Sequence, residues 1–108
     1  MANLTKIRTR KADDSVEVVV LITHPMETGM RKDKDTGKVF EAHYIQELSV
    51  DHKGKQVALA HMGTAVSENP LLTFRFKPAA VKNGDMIKVT WKDNKGGGES
   101  LEVAVKDI

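Results

Sequence analysis

Apolar residues recur at every second position along most of this chain, and that period removes most folds from consideration. Successive side chains of a strand point to opposite faces, so a period of two marks strands with one buried face. In a strand-like stretch from Val39 to Val50, Phe40, Ala42, Tyr44, Leu48 and Val50 fall on one side, and Glu41, His43, Glu47 and Ser49 on the other. Val57 and Leu59 alternate with Gln56 and the small Ala58 and Ala60; Leu72, Phe74 and Phe76 alternate with Thr73 and Arg75. Ile87, Val89 and Trp91 alternate with Lys88, Thr90 and Lys92, and Leu101, Val103 and Val105 with Glu102 and Lys106. Leu4 to Arg10 is polar around Ile7, the pattern of an edge strand. Val16 to Thr23 differs. Val16, Val18, Val20 and Ile22 fill one face, while Val19 and Leu21 add apolar surface to the other. A strand apolar on both faces is covered twice, either by the protein's own second sheet or by another chain.

Residues that tolerate turn dihedrals separate these runs: Ala12-Asp13-Asp14-Ser15, His52-Lys53-Gly54, Asn69-Pro70, Asn83-Gly84-Asp85 and Asp93 to Gly98. No stretch carries a helical period. About seven short, regularly punctuated strands predict an all-β chain, an antiparallel β-sandwich of immunoglobulin-like topology. The Cys-Trp-Cys signature of antibody domains is absent, and Trp91 falls in the penultimate strand. Residues 1–108 form one domain, the size at which a single modest core suffices.

Composition excludes several functions. The formal charge is +2, with basic residues interleaved among Asp and Glu, which argues against a nucleic-acid binder with a basic stripe. The chain has no cysteine, so disulfides, thiolate catalysis and cysteine-held metal are ruled out. Stability must come from the core alone, and burial against a partner would add to it. Met1 to Lys6 has no apolar signal-peptide region, and the longest apolar run, Val18 to Ile22, is far too short to span a bilayer. A chain with neither signal peptide nor membrane span is expected.

One connection is out of scale. Sandwich strands are usually joined by two to five residues, yet about fifteen run from His24 to Lys38. The segment His24-Pro25-Met26-Glu27-Thr28-Gly29-Met30-Arg31-Lys32-Asp33 contains more than turn chemistry requires, which predicts a functional loop. Its Arg31-Lys32-Asp33-Lys34-Asp35 run reads either as a solvated face or as a polar rim steering a partner, with Arg31 and Lys32 as its cations. The loop is expected to serve docking rather than folding.

No set of residues reads as catalytic. His24, His43, His52 and His61 together with Met26, Met30 and Met62 suggest a copper site, since imidazole and thioether suit Cu(I). Of the close pairs, His24/Met26 converge only on an extended strand, and the neighbours His61/Met62 point to opposite faces. With His43 on the polar face of its strand and His52 in a turn, the histidines read as scattered surface groups, and no metal or other cofactor is expected. Ser15, Ser49, Ser67 and Ser100 lack the context of an activated nucleophile. Asp13/Asp14 and Asp33/Asp35 sit in exposed turns without the burial that tunes an acid. Gly96-Gly97-Gly98 lies between strands with no helix to follow, so hairpin flexibility explains it better than phosphate binding.

Three ordered stretches resemble the SoxZ family: His24 to Asp33 with Thr36-Gly37-Lys38 and Ala42-His43-Tyr44-Ile45; Ser67 to Phe76; and Gly84-Asp85 through Val89-Thr90-Trp91-Lys92-Asp93-Asn94-Lys95-Gly96-Gly97. The resemblance covers nearly the whole chain. It implies an immunoglobulin-like, non-catalytic subunit that pairs with SoxY, which carries a sulfur substrate on a cysteine near its C-terminus during thiosulfate oxidation. It also implies transient contacts with other Sox enzymes, no nucleic-acid or membrane partner, and a periplasmic location reached by export with SoxY. Three surfaces follow as expectations. His24, Pro25, Met26, Glu27, Thr28, Gly29, Met30, Arg31 and Lys32 form the docking loop. Val19 and Leu21 face SoxY. The hairpin at Asp93, Asn94, Gly96 and Gly97 lies near the partner. The rivals are a periplasmic His/Met copper-binding sandwich and an intracellular sandwich accessory unconnected to Sox chemistry.

Overall fold

The polar, turn-rich punctuation divides the chain into seven strands, seen in a computed structural model that describes residues 4–63, 68–106 and 108. They are β1 (Thr5–Lys11), β2 (Val16–Ile22), β3 (Ile45–His52), β4 (Lys55–His61), β5 (Leu71–Phe76), β6 (Met86–Asp93) and β7 (Gly98–Ala104), with a 3₁₀ turn at Pro78–Ala80. Two antiparallel sheets result, ordered β1-β2-β5 and β4-β3-β6-β7. This is the expected all-β sandwich, in an immunoglobulin-like three-plus-four split. Ser67, weighed above as a nucleophile and as the start of a family-like stretch, lies outside the described residues, as do Met1 to Asn3.

The core lies between the sheets. Val16, Val18, Val20 and Ile22 of β2 face Ile45, Leu48 and Val50 of β3 and Ile87, Val89 and Trp91 of β6, all buried. Trp91 completes the cross-sheet contact by donating its indole N–H to Thr5 Oγ1 at 2.7 Å. One side of the sandwich is closed by the Glu99 carboxylate, which accepts from the Leu4 and Thr5 amides, and by Thr9, which exchanges hydrogen bonds with Lys106.

Three strand assignments need correction. The strand expected from Val39 begins only at Ile45, because residues 39–44 belong to the long connection. A bulge between Ile45 and Glu47 then shifts the phase, so that Ile45 and Leu48 both point inward although they are three positions apart. On β4 the large residues Val57 and Leu59 face outward, and Ala58 and Ala60 pack on the core. The second apolar face of β2 is also decided: Val19 and Leu21 lie on the outer surface and are not covered by the second sheet.

These placements predict opposite mutational costs for similar residues. Leu48→Ala should lower unfolding free energy by about 2–5 kcal/mol, the usual cost of a buried leucine. Leu59→Ser should change it by less than about 0.5 kcal/mol. Urea unfolding of both variants checks the difference.

Candidate functional site

The connection from β2 to β3 leaves the core through two residues that stay buried, His24 and Met26. Pro25 holds His24 in an extended conformation, and His24 is clasped by Asn69: its amide donates to Asn69 Oδ1 at 3.0 Å, and the Asn69 amide donates to His24 O at 2.8 Å. The Met26 amide donates to His24 Nδ1 at 3.1 Å, and Met26 Sδ accepts from the Ile45 amide at 3.3 Å. His24 and Met26 are both buried. The start of the loop is therefore structural, which corrects the expectation that the whole loop serves docking.

Beyond Met26 the chain forms an arm that doubles back. Glu27 and His43 exchange backbone hydrogen bonds of 2.7 and 3.0 Å, and a second bridge joins Lys32 to Val39. Gly29 has φ +84°, and a side chain there would press within 3.1 Å of Ala42 Cβ, so glycine is required both by conformation and by space. Arg31 grips the Glu27 carboxylate and lies 4.0 Å above the Phe40 ring. That pairing raises the Arg31 pKa and lowers that of Glu27. Arg31 is thus engaged within the arm instead of forming a cationic rim with Lys32. Met30 stands out on the surface at 84% exposure.

The other half of the site is the end of β6. Asp93 Oδ2 accepts from Nε2 of His43 at 2.8 Å and from Nε2 of His24 at 3.2 Å, joining residues 50 and 69 positions apart. Its Oδ1 accepts from the Lys95 and Gly97 amides. Asn94 seals the seam, accepting from the Tyr44 amide and donating to Ala42 O, both at 2.8 Å. A side chain at Gly97 would come within 2.9 Å of the Asp93 carboxylate, and one at Gly98 would run into the Trp91 carbonyl. The glycines serve close approach, which corrects the reading of that run as flexible.

The histidines were expected to be scattered. His61 is exposed on β4 and His52 pairs with Asp85 at 2.9 Å, but His24 and His43 stack edge to face with centroids 4.5 Å apart. Trp91 meets His24 edge-on from the other side, centroids 5.5 Å apart. Burial pushes the Asp93 carboxyl up, but hydrogen bonds from His43, His24 and the Gly97 and Lys95 amides outweigh it and hold its pKa at about 2. For His24, burial dominates and lowers the pKa, against the pull of Asp93.

His24, His43 and Asp93 offer three ligand atoms within 4.8 Å of one another, the spacing of a metal site. The protons oppose that use. Met26 donates to Nδ1 of His24, so the ring proton must sit on Nε2, which is the atom a metal would need bare. The cluster is a hydrogen-bonded one. Nor do the Met/His pairs assemble for copper, because Met26 Sδ is turned to the Ile45 amide.

The stretches that carry the family resemblance thus meet at one place: His24 to Glu27, Ala42 to Tyr44, Asn69, and Trp91 to Gly97. The family model for the sulphur oxidation protein SoxZ matches residues 5–104. The chain belongs to the SoxZ family. Its role therefore lies in sulfur oxidation, as a member of a Sox system. No curated protein matches it.

Of the expected site residues, the structure unites His24, Met26 and Glu27 with Asp93, Asn94 and Gly97. Thr28, Met30 and Lys32 lie out along the arm, and Val19 and Leu21 are on the outer face of the other sheet. His43 was singled out only as one of the histidines, and its partnership with Asp93 has no sequence signal other than two family-like stretches recurring in order.

Acid should loosen this cluster. The folded Asp93 pKa of about 2 lies below its ordinary 3.8, so its contribution is complete above about pH 5 and is lost as pH falls through about 2. That difference is worth about 2 kcal/mol. Asp93→Asn should cost roughly 3 kcal/mol at pH 7 by leaving buried donors mispaired, and should flatten the acid limb of stability measured by urea unfolding between pH 2 and 6.

Proposed function

We propose that this chain is the non-catalytic subunit of a SoxYZ carrier. It pairs with SoxY, which holds the sulfur substrate on its own cysteine, and offers the docking surface that other Sox enzymes meet. One observation carries the reading: the outer face of the β1-β2-β5 sheet is apolar at one end, where β2 finishes and β5 begins. Leu21 and Leu71 are cross-strand neighbours there, 36% and 64% exposed, with Val19 beside Thr73 in the next outward row. A central strand that leaves leucine uncovered is incomplete as a soluble surface, and a partner burying roughly 800 Å² per side would complete it. Lys6 and Arg8 of β1 are the outward neighbours of Leu21 and Val19 and would form a basic rim. The absence of cysteine supports the division of labour, because the thiol that carries substrate must then belong to the partner. The reading includes work in the periplasm, reached by export together with SoxY, and a docking role for the outer part of the arm from Thr28 to Lys38, where Met30 is exposed.

Co-expression with a SoxY chain should yield a stable heterodimer on size-exclusion chromatography, and added SoxY should raise the melting temperature of the isolated chain by mass action. The double change Leu21→Asp with Leu71→Asp should abolish co-purification while leaving the circular dichroism spectrum unchanged. Undiminished pairing would move the SoxY contact to another face.

A further inference from the structure

The Asp93 cluster has one open end. Neither histidine is free at Nε2, since both point that atom at Asp93 Oδ2. His24 Nδ1 is taken by the Met26 amide inside the core. His43 is different: its side chain is 30% exposed, and its Nδ1 makes no hydrogen bond among the described residues. No buried side-chain nitrogen or oxygen among those residues lacks a partner, so this Nδ1 faces solvent. His43 lines a cleft of about 410 Å³, with Pro25, Trp91, Gly97 and Gly98 among its walls. A carboxylate that accepts from one imidazole nitrogen fixes the tautomer, leaves the lone pair on the other, and stabilises the cation formed when that nitrogen takes a proton. That is the base and orienting group of a nucleophilic triad without a nucleophile.

We propose that His43 Nδ1 is a proton-accepting site for a thiol supplied from outside this chain. The proton transferred must come from a group whose acidity is within reach of an imidazole. A thiol, at about 8.5, can give its proton to an imidazole before any bond to carbon forms, whereas an alcohol yields its proton only in concert with attack on an electrophile, and the thiol is the donor the proposal commits to. This chain contains no cysteine, so the thiol comes from another molecule. In the step, the S–H bond breaks, its electron pair stays on sulfur, and an N–H bond forms at Nδ1. The imidazolium then sits against the Asp93 carboxylate. The neighbouring charges leave this pair intact: Glu27 is held by Arg31 and Lys95 by Glu41, while Asp33 and Lys38, of opposite sign, also line the second cleft beside His43 and make no ion pair with it among the described residues. His24 cannot compete for the proton without giving up the Met26 amide. The inference rests on the proposed pairing with SoxY only where the thiol is taken to be the partner's cysteine.

Two measurements test it. In the isolated wild-type chain, long-range ¹H–¹⁵N spectra at pH 7.5 should show His43 protonated at Nε2 and bare at Nδ1. The opposite tautomer would overturn the proposal whatever the partner. In the purified heterodimer, iodoacetamide alkylation of the partner's cysteine is followed from pH 6 to 10, with β-mercaptoethanol added to the isolated chain as a small-thiol arm. His43→Gln should slow partner alkylation at pH 7 about tenfold, the change for one pKa unit, and Asp93→Asn should slow it in the same direction. Failure of the wild-type chain to form the heterodimer counts against the carrier reading and not against His43, and a variant that no longer pairs is judged on the small-thiol arm with the isolated chain. An unchanged pH profile in a paired His43→Gln complex, with no change in small-thiol alkylation either, refutes the site. An effect confined to β-mercaptoethanol keeps the site and assigns it to a small-molecule thiol.

Discussion

A carboxylate withdrawn from water must recover its lost hydration from the protein, and at Asp93 that requirement organises the sandwich end where the family-like stretches meet. Four donors converge on it. Two are imidazoles at the two ends of the arm, and two are amides of the turn that follows β6. Each donor restricts the chain that carries it. His24 must leave β2 extended, residues 95–97 must curl tightly enough to present their amides, and residues 97 and 98 must lack side chains. The long connection therefore emerges from a rigid root. Its register is set by the Glu27–His43 bridge directly above the cluster.

Much of this fold was legible in the sequence, for a physical reason. A half-buried strand writes its burial directly into alternate residues, as β5, β6 and β7 do. The failures occur where geometry departs from a regular pleat. The bulge at β3 adds a residue, and its only trace in the alternation from Phe40 through Val50 is the apolar Ile45 and the polar Gln46 standing out of phase. On β4 the alternation carries no sign of its own sense, since both faces are apolar: Ala58 and Ala60 turn inward and Val57 and Leu59 outward. The candidate site was legible only in fragments. His24, Met26, Asp93 and Gly97 each stood out locally, but their union depends on tertiary pairing across 69 positions. The protonation logic could be read only once Met26 was seen donating to His24.

The molecule separates its surfaces by chemistry. The outer face of the three-stranded sheet is apolar at Leu21 and Leu71, suited to a lasting contact. The arm pairs Arg31 with Glu27 internally and Glu41 with Lys95 of the turn after β6, and leaves the mixed-charge run from Lys32 to Lys38 largely exposed, which favours contacts that form and release. These surfaces lie on different elements, so contact at one leaves the other open.

Trp91 has one more consequence. It is the chain's sole indole, buried at the interior wall of the Asp93 cluster, edge-on to His24 and tied through its ring N–H to the first strand. Its emission is therefore a built-in optical probe of one small volume. A change in the charge or packing of the two imidazoles alters the field around that single chromophore, and no exposed tryptophan dilutes the signal. The protein reports on its own most constrained site without any label.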